Sequence, residues 1–82
     1  MSASTAPHDD LRGFLTTLWE ETLGMEAIGP DENFFDLGGD SMAATSISVG
    51  IRKHTGRETP IRLIFDHPTV AELAVALEGD AA

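Results

Sequence analysis

A serine set behind two glycines is the residue of this chain best placed to do chemistry. Gly38-Gly39-Asp40-Ser41 strips β-carbons from the backbone just ahead of a hydroxyl. The hydroxyl stands where an irregular acidic loop gives way to a helical apolar period, so other molecules can reach it. Its neighbours limit what it does unaided. Ala43 occupies the place of the second glycine of a Gly-x-Ser-x-Gly elbow and no strand precedes the turn, which disfavours a serine hydrolase. No lysine follows the glycines in the Walker spacing, so the phosphates of a nucleotide would lack their cation. A calcium loop opened by Asp31 and Asn33 breaks down. Phe35 and Asp36 fall on its third ligand and its glycine, and Met42 falls where the bidentate glutamate belongs. His67 beside Asp66 reads as a surface or turn residue, and no residue is assigned as catalytic or as a metal ligand.

Composition narrows the classes further. Eighty-two residues without a cysteine make one small domain with no disulfide, no thiolate metal site and no cysteine nucleophile, so any thiol has to come with a cofactor. The chain is too short for a cofactor-binding sheet plus a substrate domain. A net charge of -9 lacks the basic footprint that nucleic-acid binding needs, and points to basic surfaces on partners. The sign is uneven: Arg12 is the only basic residue from Asp9 to Asp40, whereas Arg52, Lys53, Arg57 and Arg62 follow later. No apolar run nears the roughly 20 residues that span a bilayer, and Met1 to His8 has no signal-peptide core. A cytoplasmic monomer without a membrane partner is expected.

The elements that must hold Ser41 follow from apolar spacing. Residues 1–8 read as a frayed tail, 9–79 as the domain and 80–82 as a second tail. Leu11, Phe14, Leu15, Leu18, Trp19 and Leu23 repeat with the helical period, Asp9 and Asp10 suit the N-terminal end, and Gly24 is a stop. Gly24 to Gly39 is a long loop packed down by Phe34, Phe35, Leu37 and Ile28, with a turn of helix expected at Asp31 to Phe35. Asp40 or Ser41 then caps a second helix with Ala44, Ile47, Ser48 and Ile51 on one face, ending at Gly56. Thr59-Pro60 reads as a cap and a first helical proline, predicting a short third helix over Ile61 to Phe65. Thr69-Val70-Ala71-Glu72 is a capping box. It opens a last helix that buries Val70, Leu73, Ala74 and Leu77 and ends at Gly79. The predicted fold is all-α, a small bundle of three main helices plus one short helix.

Two blocks extend the reading. Asp31-Glu32-Asn33-Phe34-Phe35-Asp36-Leu37-Gly38-Gly39-Asp40-Ser41 resembles the phosphopantetheine attachment site of carrier proteins, above all the peptidyl carriers of nonribosomal peptide synthetases. Leu63-Ile64-Phe65-Asp66-His67-Pro68-Thr69-Val70-Ala71-Glu72-Leu73-Ala74 resembles the same family's third helix and the start of its last. The resemblance implies a carrier and not an enzyme. Ser41 would receive 4′-phosphopantetheine from coenzyme A through a magnesium-dependent phosphopantetheinyl transferase, with Gly39 and Asp40 flanking the group. The thiol of that arm would hold an aminoacyl or peptidyl thioester. An adenylation enzyme and condensation or tailoring enzymes are the further partners implied, with contacts at Leu37, Met42, Ile61 and Arg62. Gly38 and Gly39 would let a partner's backbone come close. Asp40, where many peptidyl carriers have histidine, also resembles the Asp-Ser-Leu of acyl carriers from polyketide and fatty acid synthesis. The remaining alternative is an acidic helical interaction module in which Ser41 only caps a helix. The start at Met1 and the short tails suggest a free-standing carrier, and an excised domain of a larger synthetase would look the same.

Overall fold

A computed structural model describes residues 7–81, with side chains from Asp10 to Glu78. Four helices follow one another: α1 (Pro7–Leu23), α2 (Ser41–Thr55), α3 (Ile61–Asp66) and α4 (Val70–Ala81), and no strand occurs among the described residues. The fold is the all-α bundle that the apolar periods predict. α1 opens at Pro7, two residues before Asp9, because a proline in the first turn gives up only an N–H that the helix leaves unpaired there. Of the tail expected at residues 1–8, Pro7 and His8 belong instead to the first turn of α1, and Met1 to Ala6, like Ala82, lie outside the described residues. Gly24 stops α1 at φ +68, and the Met25 N–H donates back to the Glu20 carbonyl at 3.0 Å, closing the last turn. Gly79 does not stop α4, which runs on to Ala81. A glycine inside a helix costs only up to about 1 kcal/mol and does not by itself end one.

The core is a single cluster. α1 contributes Leu15 and Trp19, α2 Ala44, Ile47 and Ile51, α3 Ile64, and α4 Val70, Leu73, Ala74 and Leu77. α1 packs against both α2 and α4, and α3 bridges α2 and α4. Leu11, Phe14, Leu18 and Leu23 rim the α1 stripe, half-buried against the cluster. A β-carbon at Gly50 would lie 2.7 Å from Leu18 Cδ1, so the close approach of α1 and α2 accounts for a glycine in mid-helix.

Two local expectations are corrected. Thr59 does not cap α3. Pro60 is the extended residue before the helix (φ -60, ψ 143), α3 starts at Ile61, and Thr59 turns inward, 4% exposed, with its carbonyl accepting from Ser48 Oγ. Proline fixes φ but fits an extended or a helical ψ, so Thr-Pro reads alike in both arrangements. The helical turn in the long loop falls at residues 34–38, three residues later than expected. Asn33 sets its start, because Oδ1 accepts from the N–H groups of Phe35 (2.8 Å) and Asp36 (3.3 Å). At α4 the capping residue is the one expected, with Thr69 Oγ1 accepting from the Glu72 N–H at 3.1 Å.

Candidate functional site

Ser41 is the first residue of α2 and is exposed. Asp40, not Ser41, is the N-cap: its backbone is extended (φ -140, ψ -172) and Oδ1 accepts from the Ala43 N–H at 2.9 Å. The capping role considered for Ser41 is therefore excluded. Its Oγ makes no hydrogen bond among the described residues, and its carbonyl accepts from Thr45 Oγ1 at 2.9 Å, holding the first turn. The N–H groups of a helix's first turn have no helical partner and carry the positive end of the dipole, which favours an anion bonded to this hydroxyl.

Each glycine before Ser41 is required by the chain's own geometry. Gly38 has φ +94, a conformation that L side chains rarely adopt. Gly39 lies under the Phe34 ring, where a β-carbon would stand 2.4–2.6 Å from three ring carbons. That ring is fully buried and packs edge-on to Trp19, with centroids 5.3 Å apart. The Phe34 carbonyl accepts from the N–H of Gly39 at 3.0 Å, and the Phe34 N–H donates to the Pro68 carbonyl at 2.6 Å. A second backbone bond joins the Ala71 N–H to the Pro30 carbonyl at 3.0 Å. The serine is thus aimed by a packed chain running from Trp19 through Phe34 to Gly39, tied to the start of α4.

The other residues singled out in the sequence fall in different places. Met42 is 79% exposed beside Ser41, and with Thr22, Leu23, Gly38, Asp40 and Ser46 it lines a shallow cleft at the junction of α1 and α2. Leu37 is half-buried and packs against the core. Ile61, also packed against the core, borders a second cleft with Ser48, Val49, Arg52, Thr59 and Pro60, further along α2. Arg62 is exposed, with only a long pairing at 4.0 Å to Asp66 of its own helix. Sequence reasoning did not separate the two phenylalanines: Phe34 joins Ile28 and Leu37 in anchoring the loop, whereas Phe35 is 46% exposed and lies 5.5 Å from the ring of Phe65, itself 37% exposed. Neighbours in a tight turn cannot both face inward, but the composition of the pair does not say which one does.

An exposed primary hydroxyl with no bonded base, on a rigid turn, suits a group acceptor better than a self-activated nucleophile. Among the described residues no cluster of His, Cys, Asp and Glu could hold a metal ion, and no helix is long and apolar enough to cross a membrane.

Residues 13–77 match the family described as "Phosphopantetheine attachment site". Surfactin synthase subunit 2 of Bacillus subtilis (strain 168) is 40% identical over 79 residues, which cover 96% of this chain but only 2% of that protein. The chain therefore spans a small fraction of such relatives. Among solved structures, BlmI, a type-II acyl-carrier-protein from Streptomyces verticillus involved in bleomycin biosynthesis, superposes with a TM-score of 0.88. Its identity is 29%, over 92% of this chain and 90% of that one. A nonribosomal PCP domain superposes at 0.72 with 35% identity, over 88% of this chain and 90% of that one. A chain from the structure of the phosphopantetheine transferase Sfp with coenzyme A and a peptidyl carrier protein superposes at 0.80 with 29% identity, over 84% and 90%.

Proposed function

Since the chain belongs to the phosphopantetheine attachment site family and is a carrier of the peptidyl, nonribosomal type, we propose that Ser41 is the residue bearing its 4′-phosphopantetheine. The observation that carries this is the free, exposed Ser41 hydroxyl at the start of α2, aimed by a rigid turn and relieved of capping by Asp40. The residues fit the group: the first turn of α2 offers unpaired N–H groups to a phosphodiester, and Gly38, where a β-carbon would meet only open space, leaves the approach to Ser41 clear of a side chain. When bound, the arm supplies a terminal thiol that holds an aminoacyl or peptidyl group as a thioester. The chain contributes position and recognition and leaves catalysis to its partners. Those are a phosphopantetheinyl transferase, for which the Sfp complex is the precedent, an adenylation enzyme, and condensation or tailoring enzymes. Leu37, Met42, Ile61 and Arg62 are the contacts proposed for them. The protein works as a cytoplasmic monomer in this reading.

Peptide mapping of the transferase-treated chain tests the assignment. The added group is expected on the peptide containing Ser41 and on that residue within it, while recovery of the group on Ser46 or Ser48 would refute it.

A further inference from the structure

Two phenylalanines stand clear of the core, and the attachment of a group at Ser41 uses neither. Phe35 lies on the turn of the long loop and Phe65 on α3, and both are among the exposed large apolar side chains. Their rings meet with centroids 5.5 Å apart at 33°, which joins them into one apolar surface between the loop and α3. Such a pair is costly to leave in water, and exposed apolar surface rimmed by polar residues marks a contact site. The surface is also held still. Asn33 Oδ1 accepts from the Phe35 N–H at 2.8 Å, and the Phe35 ring packs edge-on to the buried Phe34, with centroids 5.5 Å apart at 77°. Phe34 in turn lies under Gly39, so the exposed pair is packed onto the turn that carries Ser41.

Charge selects the occupant. Each ring is followed in the chain by a carboxylate, Asp36 and Asp66, and both residues are exposed. Asp31 and Glu32, also exposed, add to the negative charge of the loop. Arg62 offsets little of it, because it meets Asp66 only at 4.0 Å with both side chains more than half exposed. The face of an aromatic ring attracts a cation, and a guanidinium can lie flat on a ring while its edge donates to a carboxylate. A lysine ammonium, compact and strongly hydrated, has no plane with which to do both. We infer that Phe35 and Phe65, with Asp36 and Asp66 next to them in the chain, form a docking platform for an arginine side chain on the surface of a partner protein. The platform goes beyond the attachment at Ser41 and does not depend on it. An arginine seated there sets its owner against the loop that aims Ser41.

The test is an NMR titration of the unmodified chain with the tetrapeptide acetyl-Leu-Arg-Ala-Leu amide, and with versions carrying lysine or citrulline in place of the arginine. Citrulline keeps the planar end and removes the charge. The arginine peptide is expected to bind in the millimolar range of a single anchor and to move the ring signals of Phe35 and Phe65, while its own δ-methylene protons shift upfield as protons over a ring face do. The citrulline and lysine peptides should bind about fivefold more weakly, the effect of losing one cation–π contact. Phe35→Leu and Phe65→Leu keep an apolar side chain and remove a ring, and Asp36→Asn keeps the shape and removes a charge, with circular dichroism reporting the fold of each. Each should weaken the arginine peptide and leave the citrulline peptide nearly unchanged. Equal binding of the three peptides, parent-like binding of the arginine peptide by the folded variants, or ring signals that stay put through the millimolar range would overturn the platform. Because no step of the titration uses the transferase or coenzyme A, each of these results leaves the assignment of Ser41 standing.

Discussion

Gly39→Ala is expected to destabilise the isolated domain, with no partner present. The added carbon would lie 2.4 Å from the Phe34 ring, against the usual 3.5–4.0 Å between non-bonded carbons, so something must move by about 1 Å. The ring has nowhere to go, because it is fully buried against Trp19 and its own backbone is bonded to Pro68 and Gly39. Overpacking of this kind costs about 1–3 kcal/mol. In a domain of this size each 1 kcal/mol moves the melting temperature by about 4–8 °C, so a drop of about 8–16 °C is expected for a 2 kcal/mol loss. Far-UV circular dichroism during heating and in urea reads it out. Phe34→Leu provides the internal check, because a smaller side chain should relieve part of the Gly39→Ala penalty and give a coupling of about 0.5–3 kcal/mol between the two sites. A Gly39→Ala chain within about 0.5 kcal/mol of the parent, or one whose penalty is unchanged in the Phe34→Leu background, would refute the packing account. The glycine would then be there for partners alone.

Asp40→Ala is expected to lose about 1 kcal/mol in urea denaturation with the loss of the Ala43 N–H acceptor, whereas Ser41→Ala, whose hydroxyl has no partner, should stay within about 0.5 kcal/mol of the parent. Equal losses in the two would contradict the assignment of the cap to Asp40. Gly13→Ala should raise stability by about 0.5–1 kcal/mol, since Gly13 is exposed and a β-carbon there meets nothing within 4 Å; a loss in the same assay would contradict that placement. Thr69→Ala should cost about 1 kcal/mol through the Glu72 N–H, and an unchanged urea midpoint would show the cap to be dispensable.

The helices were legible in the sequence because each has an apolar period that one buried face explains. Val70, Leu73, Ala74 and Leu77 are all buried as predicted, and Thr69 accepts from the N–H three residues on. Leu15 and Trp19 were visible for the same reason. What escaped was set by contacts distant in sequence. Nothing near Phe34 announces that its N–H will meet the Pro68 carbonyl, so the aim of the Ser41 turn could not be read locally. Phe35 could not be separated from Phe34, and Thr59 could not be turned inward, because turn chemistry alone permits either placement. Ala27 adopts φ 60 with no glycine to mark the bend. At the site, the residue types pointed to Ser41, but the division of labour with Asp40 is a matter of backbone angles that composition does not carry.

The measurement that bears most directly on the account is the intact mass of the chain after incubation with coenzyme A, magnesium and a broad-specificity phosphopantetheinyl transferase, with Ser41→Ala treated alongside. A gain of one phosphopantetheinyl group in the parent and none in the variant is the predicted result. A folded parent that gains nothing while a known carrier is modified in the same tube, or a variant that gains as much as the parent, would contradict it.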